Sequence, residues 1–226
     1  MDYLNQLLFG IYPYIAVAVF VLGSLIRYDR DQYSWKTGSS QMLESKLLRK
    51  GSMPFHVGIL AVLAGHFVGL LTPHEVWHVL GITAGMKQIF AMAMGGLFGL
   101  LCFYGLTILI YRRFTNPRVK ASSSTMDNVI LVLIYIQLIL GLLSIFVSAG
   151  HLDGKEMVML MDWAQNFVTF QGSDAAASIA GVHWIYKLHV FLGMSLFLVF
   201  PFSRLVHVWS VPVKYMRRSY QIVRVK

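Results

Sequence analysis

Long apolar runs alternate with short polar stretches along the whole chain. Leu4 to Ile26 is 23 residues without a charge, and Met53 to Leu71 is 19 without an acid, lysine or arginine. Ile89 to Tyr111 is 23, Asn128 to Ala149 is 22, and Leu188 to Val206 is 19, broken only by Arg204 near its end. A helix needs about 20 such residues to cross the hydrocarbon core of a bilayer. Each run therefore predicts one spanning helix, over about 4–26, 53–71, 89–111, 128–149 and 185–207. Transmembrane barrels use strands of about 10 residues with alternating polarity, a pattern this sequence lacks. The first run has no basic residue before it and no small-residue cleavage site after it, which predicts a retained helix and not a signal peptide. The expected fold is all-α: an integral membrane bundle of five transmembrane helices in one domain over 1–226, with a polar tail at 208–226.

Composition supports this and removes other classes. Apolar residues are 57% and charged residues 13% of the chain, against about 45–50% and 25% in soluble domains. Disordered chains are poor in apolar residues, and a lone cysteine, Cys102, excludes a disulfide scaffold, a c-type haem site and a zinc ribbon. The net charge of +9 alone is compatible with nucleic-acid binding, but its distribution points to a membrane. Of 19 basic residues, 16 lie in three segments, Arg27 to Lys50, Arg112 to Lys120 and Arg204 to Lys226. In a five-helix topology these share one side, and Lys87, Lys155 and Lys187 share the other. The positive-inside rule then puts the amino terminus outside and the carboxyl terminus in the cytoplasm. In the longest outer loop, Gly150 to His183, the residues Met157, Leu160, Met161, Ala164 and Val168 recur at helical spacing and predict an amphipathic helix on the outer surface. Asn116-Pro117 marks an inner turn. Five helices do not divide into the matched halves of a transporter repeat.

The histidines carry the candidate chemistry. His56 and His66 fall on the second predicted helix, His189 and His207 on the fifth, and an ionisable residue inside a span is a functional hypothesis by default. The two helices run in opposite directions, so His56 matches His207 near the cytoplasm and His66 matches His189 nearer the outside. Neutral imidazole suits iron, so each pair can sandwich one haem iron. At 1.5 Å per residue, straight helices would separate the ligands by about 15 Å on one and about 27 Å on the other, a mismatch that tilt must absorb. Pro201 is expected to bend the fifth helix just before His207. Gly58, Gly65, Gly69 and Gly193 leave room for a flat macrocycle or for helix packing. Arg112, Arg204 and Lys187 stand near helix ends, either as haem propionate partners or as interfacial cations. His74, His78, His151 and His183 read as interfacial residues.

Stretches over nearly the whole length resemble one family: IYPYIA at Ile11 to Ala16, SSQML at Ser39 to Leu43, FHVGIL at Phe55 to Leu60, GHFVGLLTPH at Gly65 to His74, KLHVFLGM at Lys187 to Met194, and FPFSRLVHVWSVPV at Phe200 to Val213. The chain looks like the gamma subunit of membrane-bound respiratory nitrate reductase, a di-haem cytochrome b. The resemblance implies two b-type haems, the outer held by His66 and His189 and the inner by His56 and His207, and it implies a quinol site at Lys87. Glu75 to Met86 departs from the family pattern.

The same resemblance implies the activity. Quinol is oxidised at the outer side with release of protons outside. Electrons pass through both haems to an iron–sulfur beta subunit and a molybdenum-containing alpha subunit in the cytoplasm, where nitrate is reduced. The chain has no molybdenum or iron–sulfur ligand set of its own, so nitrate reduction belongs to a partner. The implied location is the bacterial cytoplasmic (inner) membrane. The loops Tyr28 to Ser52 and Tyr111 to Asp127, with the tail from Ser210 to Lys226, are expected to dock the partners. Two other readings stay open: a related di-haem quinol-linked subunit serving another cytoplasmic reductase, and a haem-free membrane anchor.

Overall fold

A computed structural model describes residues 3–35, 40 and 43–210. Among them there is no strand. The helices are α1 (Tyr3–Arg30, with a π-helical stretch at Leu7–Ile11), α2 (Ser45–Leu71), α3 (His74–Val79), α4 (Ala84–Thr115), α5 (Pro117–Ala121), α6 (Thr125–Ala149), α7 (Lys155–Val168), α8 (Gly172–Ser178) and α9 (Trp184–Val199). A 3-10 turn at Phe200–Phe202 and a 3-10 stretch at Arg204–Ser210 follow. Five of these elements, α1, α2, α4, α6 and α9 with its 3-10 extension to Phe202, are long and apolar enough to cross a membrane. The tail expected to dock partners lies, beyond Ser210, outside the described residues, as do most of Ser39 to Leu43 and Lys36.

Two spanning helices, α4 and α6, begin before their apolar runs, and polar caps close their amino-terminal ends. Thr83 accepts a hydrogen bond from the Met86 amide at the start of α4. At the start of α6, Ser124 and Asp127 exchange side-chain-to-backbone bonds of 3.1 Å in each direction, a capping box that satisfies two otherwise orphaned amides. Asn116 closes α4 and opens α5, where its side chain accepts from the amides of Arg118 and Val119.

The fifth span departs from the expected continuous helix over 185–207. Regular α-helix stops at Val199, and Ser203 is extended, with φ −118° and ψ 177°. Pro201 explains the break: it offers no amide to the helix ladder, and its ring clashes with the preceding turn. His207 therefore sits on a separate 3-10 stretch, and the straight-helix separation of about 27 Å does not apply. Arg27 of α1 captures the backbone that the break frees. It donates to the carbonyls of Pro201 at 2.6 Å and Ser203 at 2.8 Å, and to Ser34 O at 2.7 Å. Gly23 makes this approach possible, since a Cβ there would meet Pro201 Cγ at 2.8 Å.

Packing follows an open arc in which α2 lies on α4, α4 on α6, α6 on α9, and α9 on α1. Glycines make the α2–α4 crossing close. A Cβ on Gly58 would stand 2.6 Å from the Cys102 amide, and one on Gly105 would stand 2.6 Å from the Gly51 carbonyl. By contrast α2 and α9 scarcely touch, and most of the surface of α2 is uncovered. A seam thus runs between them.

The amphipathic helix expected after α6 is α7. It is docked and does not lie free on the surface. Met161, Trp163 and Ala164 are buried, Trp163 Nε1 donates to Phe9 O at 3.1 Å, and Gln165 donates to the carbonyls of Leu70 and Thr72 at the end of α2. Gln88 of α4 fastens the connecting loop. It donates to Ser148 O and His151 O and accepts from the Gly154 amide at 2.8 Å. Gly154 is left-handed, with φ +76°, and a Cβ there would lie 2.5 Å from Ala84, so glycine is required on both counts.

Candidate functional site

The seam between α2 and α9 holds the four singled-out histidines in two pairs. The ring centres of His66 and His189 are 6.0 Å apart, and those of His56 and His207 are 6.5 Å apart. These are the partners that opposite helix directions select. A first-row metal–imidazole bond is about 2.0–2.1 Å, and each ring centre lies roughly a further 1.1 Å behind its nitrogen. Two such ligands on one ion can therefore sit with ring centres up to about 6.3 Å apart, close to both observed values.

The backbone holds one nitrogen of three of these rings. Nδ1 of His56 lies 2.7 Å from Ser52 O, Nδ1 of His66 lies 2.8 Å from Val62 O, and Nδ1 of His207 lies 2.6 Å from Arg204 O. Only an N–H can face a carbonyl this closely, so Nδ1 carries a proton, and in the neutral ring the lone pair is then on Nε2. That is the usual tautomer of a ligating imidazole whose other nitrogen is tied down. His189 differs, because its Nδ1 is buried without a partner and its neighbour is the Gln137 amide, 3.3 Å from Nε2.

The surroundings suit a flat group beside His66. On α2, Gly65 and Gly69 face open space, with nothing within 4 Å of a built Cβ. Gly58, also a candidate for such room, instead serves the tight α2–α4 crossing, and a Cβ on Gly193 would meet the Gln137 amide nitrogen at 3.2 Å. His56 and His66 are themselves exposed. A polar atom facing hydrocarbon is costly unless it is satisfied, and with Nδ1 already bonded an occupant of the seam that engages Nε2 relieves the remaining cost.

Lys87 stands in the first turn of α4 and is buried, 6% exposed. Its Nζ donates to Gly69 O at 2.5 Å, contacts the Met161 sulfur and lies 4.6 Å from the Trp77 ring centre. Gly69 is three residues beyond His66, which ties the ammonium to the same end of the seam. No carboxylate pairs with Lys87 among the described residues. A cavity of about 500 Å³ opens beside it, with His74, Glu75, Trp77 and His78 among its walls.

Other candidates take structural positions. Every donor nitrogen of Arg112 engages residues 40–44: Nε donates to Glu44 O at 3.4 Å, one terminal nitrogen to Ser40 Oγ at 3.1 Å, and the other to Ser40 O at 2.7 Å and to Leu43 O. Arg204 pairs with Asp127 at 3.6 Å, and Lys187 donates to Ala180 O at 2.7 Å. His74 pairs with Asp162 at 2.8 Å, and His183 accepts from the Ile185 amide at the start of α9. Sequence reasoning overlooked Arg27 and Gln137. Arg27 is the first charge after a long apolar run and the nearest cation able to meet a proline break. Gln137 is an amide in the middle of the most apolar span, where an unpaired polar group is costly.

Comparison with known proteins decides the family. The family described as "Nitrate reductase gamma subunit" matches residues 5–226. The chain belongs to the nitrate reductase gamma subunit family. It is 51% identical to the respiratory nitrate reductase 1 gamma chain of Escherichia coli (strain K12) over 229 residues, covering 100% of both chains. It is 47% identical to the respiratory nitrate reductase 2 gamma chain of the same strain, over 99% of this chain and 98% of that one. With the nitrate reductase gamma chain of Bacillus subtilis (strain 168) the identity is 36%, over 97% and 98%. A member of this family is a membrane subunit of a respiratory oxidoreductase, in agreement with the five spanning helices.

Proposed function

We propose that the chain is the quinol-oxidising, di-haem b subunit of a respiratory nitrate reductase in the bacterial cytoplasmic membrane, with its amino terminus outside. His66 and His189 hold the outer b-type haem, and His56 and His207 hold the inner one. When bound, the two haems supply one-electron transfer across the bilayer. The observation that carries this reading is the separation of the ring centres, 6.0 and 6.5 Å, in an otherwise open seam.

The chain's own residues do the rest. Three of the four imidazoles are held with Nε2 free by their own backbone carbonyls. Lys87, a buried cation lacking an anionic partner among the described residues, lines the cavity that receives quinol. Its Nζ donates a hydrogen bond to a quinol oxygen and favours negative charge there as the proton leaves toward the outside. Arg204 and Lys187 remain the candidate partners for haem propionates. Arg112, also expected in that role, has its donors committed to residues 40–44 and holds the inner loop. The basic inner segments of the sequence, 28–52, 111–127 and the tail from Ser210, are the ones that dock the iron–sulfur beta subunit and the molybdenum-containing alpha subunit, where nitrate is reduced.

Reduced-minus-oxidised visible spectra of the assembled complex test this reading. A b-type band with two components is expected. His66→Ala and His189→Ala each remove one component, and His56→Ala and His207→Ala each remove the other. Depletion of the same component by His56→Ala and His66→Ala would overturn the pairing, and a wild type without the band would leave a haem-free anchor. Truncation after Val213 is expected to keep both components and release the soluble subunits.

A further inference from the structure

Three of the paired imidazoles use the backbone of their own helical segment, with a carbonyl three or four residues back fixing Nδ1. His189 has no such bond, and its Nδ1 is buried and unpartnered. Beside it lies Gln137 of α6. The amide nitrogen of Gln137 donates to the His189 carbonyl at 3.1 Å and stands 3.3 Å from His189 Nε2. The Gln137 Oε1 is also buried without a partner. A buried unsatisfied polar atom is costly, and here two of them, an acceptor and a ring nitrogen, belong to side chains already in contact.

The helices are shaped around this contact. Gly141 is one turn from Gln137 on α6, and a Cβ there would press on His189 Cε1 at 3.1 Å. Gly193 is one turn from His189 on α9, and a Cβ there would press on the Gln137 amide nitrogen at 3.2 Å. Each helix thus yields space at the position facing the other's polar side chain.

We infer that Gln137 is the positioning residue of His189, doing from a third helix what a backbone carbonyl does for the other three imidazoles. A carboxamide offers donors and an acceptor on one plane, and its terminal torsion is soft. The amide now stands beside His189 Nε2 and on the His189 carbonyl. When an occupant of the seam engages that Nε2, the amide turns about its soft terminal torsion and brings the unpartnered Oε1 to the N–H at Nδ1. Gln137 then fixes the ring's rotation and sets its basicity, as outer-sphere acceptors do for ligating histidines.

The inference rests on His66 and His189 holding an iron, and the wild-type spectrum checks that premise separately. The test is a redox titration of both spectral components, with low-spin ferric EPR, on the assembled complex carrying Gln137→Met or Gln137→Glu. Methionine keeps the volume and removes the amide. Glutamate keeps an acceptor oxygen. Gln137→Met is expected to raise the potential of the His66–His189 component alone and to move its EPR signature, because a ring without an acceptor donates less to the ferric state. A tenfold change in the ferric-to-ferrous affinity ratio is about 59 mV for one electron. Gln137→Glu is expected to restore the potential to the wild-type value or below. Loss of that component from Gln137→Met with retention in Gln137→Glu supports the same conclusion. An unchanged potential in Gln137→Met, an equal shift of both components, loss from both variants, or a Glu variant that behaves like the Met variant overturns it.

Discussion

The two histidine pairs achieve nearly the same separation by different means. His66 and His189 stand on unbroken α-helices, α2 and α9, with an amide from α6 beside one ring and two open glycines beside the other. His56 faces a residue beyond a break, so the place of His207 depends on how the chain is folded back after Pro201. There the organising group is Arg27, whose guanidinium holds the carbonyls of Pro201 and Ser203. One pair is thus set by helix rigidity and a neighbouring side chain, the other by a clamped kink. A ligand on a regular helix inherits its direction from the helix. A ligand beyond a proline needs a second anchor, and that anchor is the vulnerable point.

Breaking the frame common to both pairs should have the largest effect. Gly58→Leu forces a side chain against the Cys102 backbone, where even a Cβ would come within 2.6 Å. Such overpacking costs at least about 1–3 kcal/mol, and both spectral components and the yield of folded protein are expected to fall together. Survival of both at wild-type level would mean that α2 and α4 can separate without moving the ligands. Arg27→Ala separates the pairs. Hydrogen bonds to a charged group contribute roughly 1.5–3 kcal/mol each, and the His56–His207 component is expected to be lost or strongly depleted while the other persists. Equal loss of both would remove the distinction between kink and helix.

Lys87→Ala should leave the amounts of both components unchanged and slow their reduction by quinol about 100-fold or more, the scale of a missing acid–base group, while dithionite still reduces them. Stopped-flow reduction with a quinol analogue measures this, and normal kinetics in an assembled complex would move the quinol site away from Lys87. Gly65→Ala is the mildest. No atom lies within 4 Å of the added methyl, so folding is expected to hold or to gain up to about 1 kcal/mol from helix propensity. The His66–His189 component alone is expected to weaken or shift. An effect confined to His56–His207 would contradict the placement of the two pairs.

The spans and the pairing were legible in the sequence for physical reasons. Hydrocarbon thickness sets the run length, and opposite helix directions determine which histidines meet. Pro201 announced the bend, but the capture of the freed Pro201 and Ser203 carbonyls by Arg27 is a contact over more than 170 residues that no local pattern encodes. Gly58 and Gly65 look alike in the sequence. One is pressed against Cys102 and the other faces open space, a difference set by how α4 diverges from α2. Arg112 looked like any cation at a helix end, and its real partners are carbonyls of a loop about 70 residues away in sequence. Gln137 could only be flagged as anomalous, because its partner lies on a helix about 50 residues further on.

Gly51 and Gly58, seven residues apart, are offset by only about 20° around α2 and form one stripe. Gly105 closes on that stripe, with a Cβ there coming within 2.6 Å of the Gly51 carbonyl. Contact this close has no slack in azimuth: turning α2 by one residue, about 100°, would drive a side chain into the α4 backbone. The crossing works as an angular detent, like a key in a keyway. His56, two residues before Gly58, is thereby held about 160° round from the stripe, facing away from α4. The bearing of a ligand on one side of the helix is fixed by the absence of side chains on the other.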